Sequence, residues 1–246
     1  MELKTILLIV FIIVLLYLLV VYMTKNKNTL SGMMNGQTMQ TILASSLDIS
    51  GTTSSTSNFT YSIWFFIDNW NYRYGESKVI FGRMSGNGTS LTPCPLVSLG
   101  ALDNDIDISL QVYPGTDSIN SAVPNATNSS TSKFTVSNVP LQKWVNLLIS
   151  AYGRSLDVYI DGKLTRTFLL PGVAKVDTST NIYITPQGGF SGWTSLFQYW
   201  PNATDPQSAW NIYKAGYGGS MFGGLGKYSV KLALMQGQKE DASIQI

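Results

Sequence analysis

The sequence predicts an all-β protein: two packed antiparallel sheets, preceded by a single N-terminal transmembrane helix. Three observations lead there. Residues Ile6 to Met23 form an apolar run of 18 residues without a charge, Pro or Gly. Beyond residue 47, short segments alternate apolar and polar and are cut by turn chemistry. Charged residues make up only 12% of the 246, while Gly contributes 22, a composition suited to many strands and turns.

The apolar run comes first. As a helix it would be roughly 27 Å long, close to the hydrocarbon thickness of a bilayer. Ile6, Phe11, Leu15, Tyr17, Tyr22 and Met23 are its expected anchor residues, with the two tyrosines near one end where an aromatic belt forms. The run is longer than the apolar stretch of a usual signal peptide, and no small-x-small site follows, so an uncleaved anchor is expected. Lys25 and Lys27 follow the run, against Lys4 beside Glu2 before it. This one-lysine bias puts the domain on the cytosolic side of a single-pass membrane protein. The single cysteine, Cys94, agrees with a reducing side. Sequons at Asn58, Asn87, Asn125, Asn128 and Asn202 point the other way, but a chain this rich in Asn, Ser and Thr produces about three by chance.

Residues 24–46 carry little periodicity and read as a linker, residues 47–235 as the sandwich, and residues 236–246 as a polar tail. "FTYSIWFFI" (59–67) sets Phe59, Tyr61, Ile63, Phe65 and Ile67 on one face, and "DIDISLQV" (105–112) does the same with Ile106, Ile108, Leu110 and Val112. "WVNLLISAY" (144–152) leads through Gly153-Arg154 into "SLDVYI" (155–160). Asp161-Gly162 is the two-residue signal of a type I′ turn, so "KLTRTFLL" should return as a hairpin. "NIYIT" (181–185) and "KYSVKLAL" (227–234) are further strands. One helix is expected after the anchor, in "DPQSAWNIYKAG" (205–216), with Asp205 as cap, Pro206 in the first turn and Gly216 at the end.

Three segments in this order resemble the concanavalin A-like lectin/glucanase superfamily, in particular its laminin-G-like members. They are "FTYSIWFFIDNW", "VPLQKWVNLLISAYGRSLDVYIDGKL" and "FSGWTSLFQYWPNATDPQSAWNIYKAG". The resemblance implies a jelly-roll sandwich over roughly residues 47–235, and makes the Asp161-Gly162 hairpin a scaffold element.

The chemistry available is narrow. There is no histidine, which removes the commonest general base and metal ligand. Glycosidases need two carboxyl groups about 5–9 Å apart. The three glutamates, Glu2, Glu76 and Glu240, lie far apart in sequence, so a non-enzymatic protein without a cofactor is expected. Asp103, Asp105 and Asp107 fall on one strand face at spacing two. They are either a wet face opposite Ile106 and Ile108 or, less in keeping with the missing distal Glu, a Ca²⁺ site. A net charge of +2, without a basic run, speaks against nucleic acid. Trp70, Tyr72, Arg73 and Tyr74 in "NWNYRY", with Trp193, Tyr199 and Trp200 in "GWTSLFQYW", are candidates for partner or glycan contact. The same aromatics would also serve as packing. The Gly-rich "AGYGGSMFGGLG" (215–226) lacks the Lys-Ser/Thr of a phosphate loop.

Two functions fit. One is a structural connector that contacts the bilayer and other proteins of a large assembly; the other is a membrane-displayed lectin that binds glycan. An anchor joined to a low-charge sandwich is similar in design to membrane-associated minor capsid proteins of large icosahedral DNA viruses. That resemblance implies a virion location, with the domain docked under a capsid shell.

Overall fold

Every odd position of "FTYSIWFFI" is apolar, so one whole face can be buried, and Trp64 and Phe66 add apolar groups to the other face, as suits an inner strand. The computed structural model describes residues 11–12, 14–19, 27–47, 57–84, 93–113, 130–218, 231–236 and 239–245, the last two stretches by backbone alone. Fifteen strands are found among them.

A seven-stranded antiparallel sheet runs in the order β1 (Thr29–Ser31), β13 (Ser191–Trp200), β4 (Phe59–Asn69), β9 (Trp144–Tyr152), β10 (Ser155–Ile160), β11 (Lys163–Leu169), with β2 (Met34–Asn35) also paired to β13. A six-stranded sheet runs β3 (Gln40–Ile42), β12 (Ile182–Ile184), β5 (Lys78–Arg83), β6 (Leu96–Leu99), β7 (Ile106–Val112), β8 (Ser130–Val136). Phe59, Tyr61, Ile63 and Phe65 of β4 join Ile106, Ile108 and Leu110 of β7 and Leu156 and Val158 of β10 in one buried cluster. Each such side chain contributes about 1.5–3 kcal/mol on leaving water. The expected all-β two-sheet sandwich is therefore present.

Asp161 and Gly162 both have positive φ, 51° and 73°, and Ile160 pairs directly with Lys163, as a type I′ turn requires. Helix α1 spans Pro206–Ala215. Asp205 caps it by accepting from the Ser208 backbone N–H, and Gly216 ends it. These hydrogen bonds, including one from the Ser208 hydroxyl, hold the Asp205 carboxyl below the usual carboxylate range.

Two boundaries differ from expectation. Residues 29–42 are not linker: β1 and β2 extend the seven-stranded sheet and β3 closes the six-stranded one, followed by a 3₁₀ turn at Ala44–Leu47. Strands of two or three residues are too short to show a period, and their stability comes from β13 and β12 alongside. Nor is the tail featureless, since β15 (Lys239–Gln245) pairs antiparallel with β14 (Lys231–Gln236). The expected strand at 227–234 falls partly outside the described residues, as does the Gly-rich stretch beyond residue 218.

Among the described residues no helix is long and apolar enough to cross a membrane. Ile6, Tyr22 and Met23 lie outside them. Residues 11–12 and 14–19 are helical, and Phe11, Leu15 and Tyr17 are more than half exposed.

Candidate binding cleft

The residues expected to make contacts are largely used within the fold. Trp70 is half-buried against the core, donates Nε1–H to the Leu102 carbonyl at 3.1 Å, and carries the Lys78 ammonium 4.5 Å from its ring centroid. Burial, then the Arg73 charge, lowers the Lys78 pKa. The Tyr72 hydroxyl donates to the Gly188 carbonyl at 3.0 Å. Arg73 Nη1 donates to the Gln187 carbonyl at 2.6 Å, while its Nε donates to Glu76 Oε2 at 2.8 Å. "NWNYRY" is thus a clasp over the turn at Pro186–Gly188, and of its candidates only Tyr74 stands well exposed. Tyr199 is a core residue, its ring 5.0 Å from that of Tyr61; Trp200 is half-buried, and Trp193 is 46% exposed. The thiol of Cys94 is buried and pushed up to about 12 by that burial.

Two of the three aspartates on the expected wet face also hold neighbouring chain in place. Asp105 accepts from the Ser137 hydroxyl and the Asn138 N–H, both at 3.2 Å. Asp107 accepts from the Thr135 hydroxyl at 2.7 Å and pairs with Lys133 at 3.0 Å. Asp103 is exposed. Among the described residues no group of three His, Cys, Asp or Glu is placed to hold a metal ion. Residues 105 and 107 instead fix β8 and the segment after it. Asn104 adds a two-way clamp: its backbone carbonyl accepts from the Val139 N–H, and its Nδ2 donates to the Val139 carbonyl.

That clamped segment, residues 136–140, is one wall of a cleft of about 430 Å³. The opposite wall is the Asp161-Gly162 turn with Lys163 and Thr165, and the end wall is Trp210 and Tyr213 of α1. The turn is held from behind. Asp161 Oδ1 accepts from the Asn146 N–H and its Oδ2 pairs with Lys143, each at 2.9 Å. Helix and turn touch so closely that a Cβ on Gly162 would lie 2.8 Å from Tyr213 Cβ. On its other side Tyr213 stacks on Trp64, centroids 5.6 Å apart. Trp64 pairs across strands with Asn146, and Trp64 Nε1 and Asn146 Oδ1 are buried without a hydrogen-bond partner.

The cleft therefore offers an exposed indole, neutral hydrogen-bonding groups and one cation, Lys163, without an ion-pair partner among the described residues. It has no proximal pair of free carboxylates, since the charge of Asp161 is spent on Lys143. Sequence reading passed over Trp210, Tyr213 and Lys163. A spacing of three on a helix, which sets Trp210 and Tyr213 side by side, was the available signal.

A sandwich with these two sheets and the Asp-Gly hairpin defines a lectin-like β-domain. Residues 39–207 match the concanavalin A-like lectin/glucanases superfamily in its laminin G form, and the chain belongs to that superfamily. No curated protein sequence matches the chain. Among solved structures it is similar to the receptor binding domain of botulinum neurotoxin D, at 13% identity and a TM-score of 0.49, over 75% of this chain and 48% of that one. It is also similar to the receptor binding domain of the botulinum neurotoxin C/D mosaic serotype, at 14% identity and a TM-score of 0.46, over 64% and 36%. A third is a botulinum neurotoxin type C structure whose cell entry depends on two ganglioside molecules, at 16% identity and a TM-score of 0.46, over 66% and 36%. The chain spans less than half the length of each.

Proposed function

We propose that the protein is a non-enzymatic connector: a lectin-like sandwich tethered to a membrane by residues 6–23, which docks onto neighbouring proteins of a large assembly. The finer form of this reading is a minor capsid protein linking an internal membrane to a virion shell. One observation carries the proposal. Only residues 24–28 separate the apolar run from β1, a reach of at most about 18 Å, and β1 and β3 each end a sheet whose opposite ends are β11 and β8. In the seven-stranded sheet those ends are about 24 Å apart. A tether at one rim leaves the other rim facing away from the bilayer, where a partner can reach it.

A second reading, a lectin displayed on the membrane, is favoured by the exposed indole of Trp210 beside Asn138 and Thr165 in the cleft. Lysine cross-linking of native assemblies, followed by carbonate extraction, tests the connector. Expected are cross-links from Lys133 and Lys163 to neighbouring proteins, and retention of the chain in the membrane pellet. Release by carbonate ends the tethered reading. Glycan binding abolished by Trp210→Ala, with no cross-links to neighbours, replaces the connector by the lectin.

A further inference from the structure

Strand β11 is the free edge of the seven-stranded sheet, and all of its residues but Phe168 are exposed. Strand β8 is the free edge of the other sheet, and the two rims meet where Phe134 stacks on Phe168 at 4.8 Å. An unpaired edge is a template for another strand, and proteins commonly block it with charge and bulges. Here the blocking groups are of one sign. Lys163 and Arg166 sit opposite Ile160 and Val158 in the register, on either side of a bulge. Neither has an ion-pair partner among the described residues, whereas Lys133 and Lys143 do. Lys214 follows the cleft-lining Tyr213 in the last turn of α1. Of the acids on this hairpin, Asp161 is paired with Lys143, and Asp157 keeps its charge while accepting from the Thr167 hydroxyl at 2.6 Å, so Lys163 and Arg166 outnumber it along the rim.

We infer that β11 is a docking edge for an extended acidic segment of a partner protein. The segment lies antiparallel or parallel along Lys163–Leu169, its carboxylates on Lys163 and Arg166, with an apolar side chain entering the cleft between Pro140 and Trp210. The same two cations repel a second copy of β11, so the charge that prevents self-pairing selects the partner. Main-chain hydrogen bonds along the edge supply affinity, and the cleft and cations supply specificity. Only the location of the partner, away from the membrane, rests on the connector reading.

The test uses the full chain in detergent micelles and a blocked, fluorescent peptide of about eight residues alternating glutamate and valine, a usual strand length. Anisotropy should show saturable binding, weakened about tenfold or more by Lys163→Glu with Arg166→Glu. An unchanged melting temperature of that exposed double variant shows that it still folds. N-methylation of every second amide of the peptide, in whichever register removes the N–H groups that donate to the β11 carbonyls, should weaken binding comparably. Equal binding of the lysine–valine peptide, equal binding to the double variant, or no binding at all overturns the proposal. So does binding of a neutral oligosaccharide that needs Trp210 where the peptide fails. Cross-links and membrane retention would survive each of those results, so failure here is separable from failure of the connector reading.

Discussion

At Gly162 two requirements coincide: a φ of +73°, and open space where a Cβ would meet Tyr213 and Trp210. Gly153, with φ +55°, has nothing within 4 Å of its Cβ position. Gly153→Ala should therefore cost only the left-handed strain, about 1 kcal/mol. Gly162→Val adds overpacking and a β-branched side chain, for about 3 kcal/mol. That is roughly 6–12 °C in melting temperature for a domain of this size. Equal shifts for the two variants would mean that the turn does not bear on α1. Asp177 gives a pH prediction. Hydrogen bonds from the Ser179 hydroxyl and N–H hold its carboxyl below the usual range. A depressed folded-state value gives stability that is fully present above the unfolded value, about 3.9, and is lost as pH falls through the folded one. Melting temperatures measured from neutral pH down to about pH 2 should fall less steeply for Asp177→Asn than for the parent, from a lower starting point. The Asp161-Gly162 turn was legible in the sequence because it is a local signal. Asp105 was not, because its partners Ser137 and Asn138 are brought to it only by the pairing of β7 with β8.

Among the elements, the strands that alternate over six or more residues, β4, β7, β9 and β10, could be read directly, and so could α1 from its cap and stop. Strands β1 to β3 could not. "TLSGMMNGQTMQTI" has no period longer than three residues, and its order is borrowed from β13 and β12. The same is true of the cleft, whose three walls lie far apart in the chain. This gives a prediction about boundaries. Removing residues 1–27 keeps β1 and the bond from the Tyr199 N–H to the Asn28 carbonyl, so a monomeric β-rich domain should remain. Removing residues 1–46 strips the end strand from both sheets and bares β13 and β12, so the shorter chain should aggregate or melt well below the longer one. Size-exclusion chromatography with circular dichroism distinguishes the two. Equal behaviour would show that residues 29–42 are dispensable after all.

At the scale of the whole molecule, the tether is the part most open to direct test. Leu15→Arg places a cation near the middle of the apolar run and should cost roughly 2.5–3.5 kcal/mol on insertion. Chain carrying it should shift from the carbonate pellet to the supernatant, while the sandwich keeps its melting temperature. Retention in the pellet would point to attachment by another route. On the proposed connector reading the tether and the β11 rim act independently, so Leu15→Arg should leave cross-linking from Lys163 to any bound partner unchanged, and substitutions on β11 should leave pelleting unchanged.

The closing contact of the fold also sets when it can form. Gln198 Nε2 donates to Thr29 Oγ1 across 169 residues of chain, and β4, between β13 and β9, has one neighbour that is made late in synthesis. Contacts this distant in sequence make folding slow. At about 5–20 residues per second, β4 waits several seconds for β9 with both sides bare, and longer for β13. Through that interval "FTYSIWFFI", with seven apolar residues of nine, is an unfinished edge. Until Ser191–Trp200 leaves the exit tunnel, that edge is a template for any other strand-forming chain.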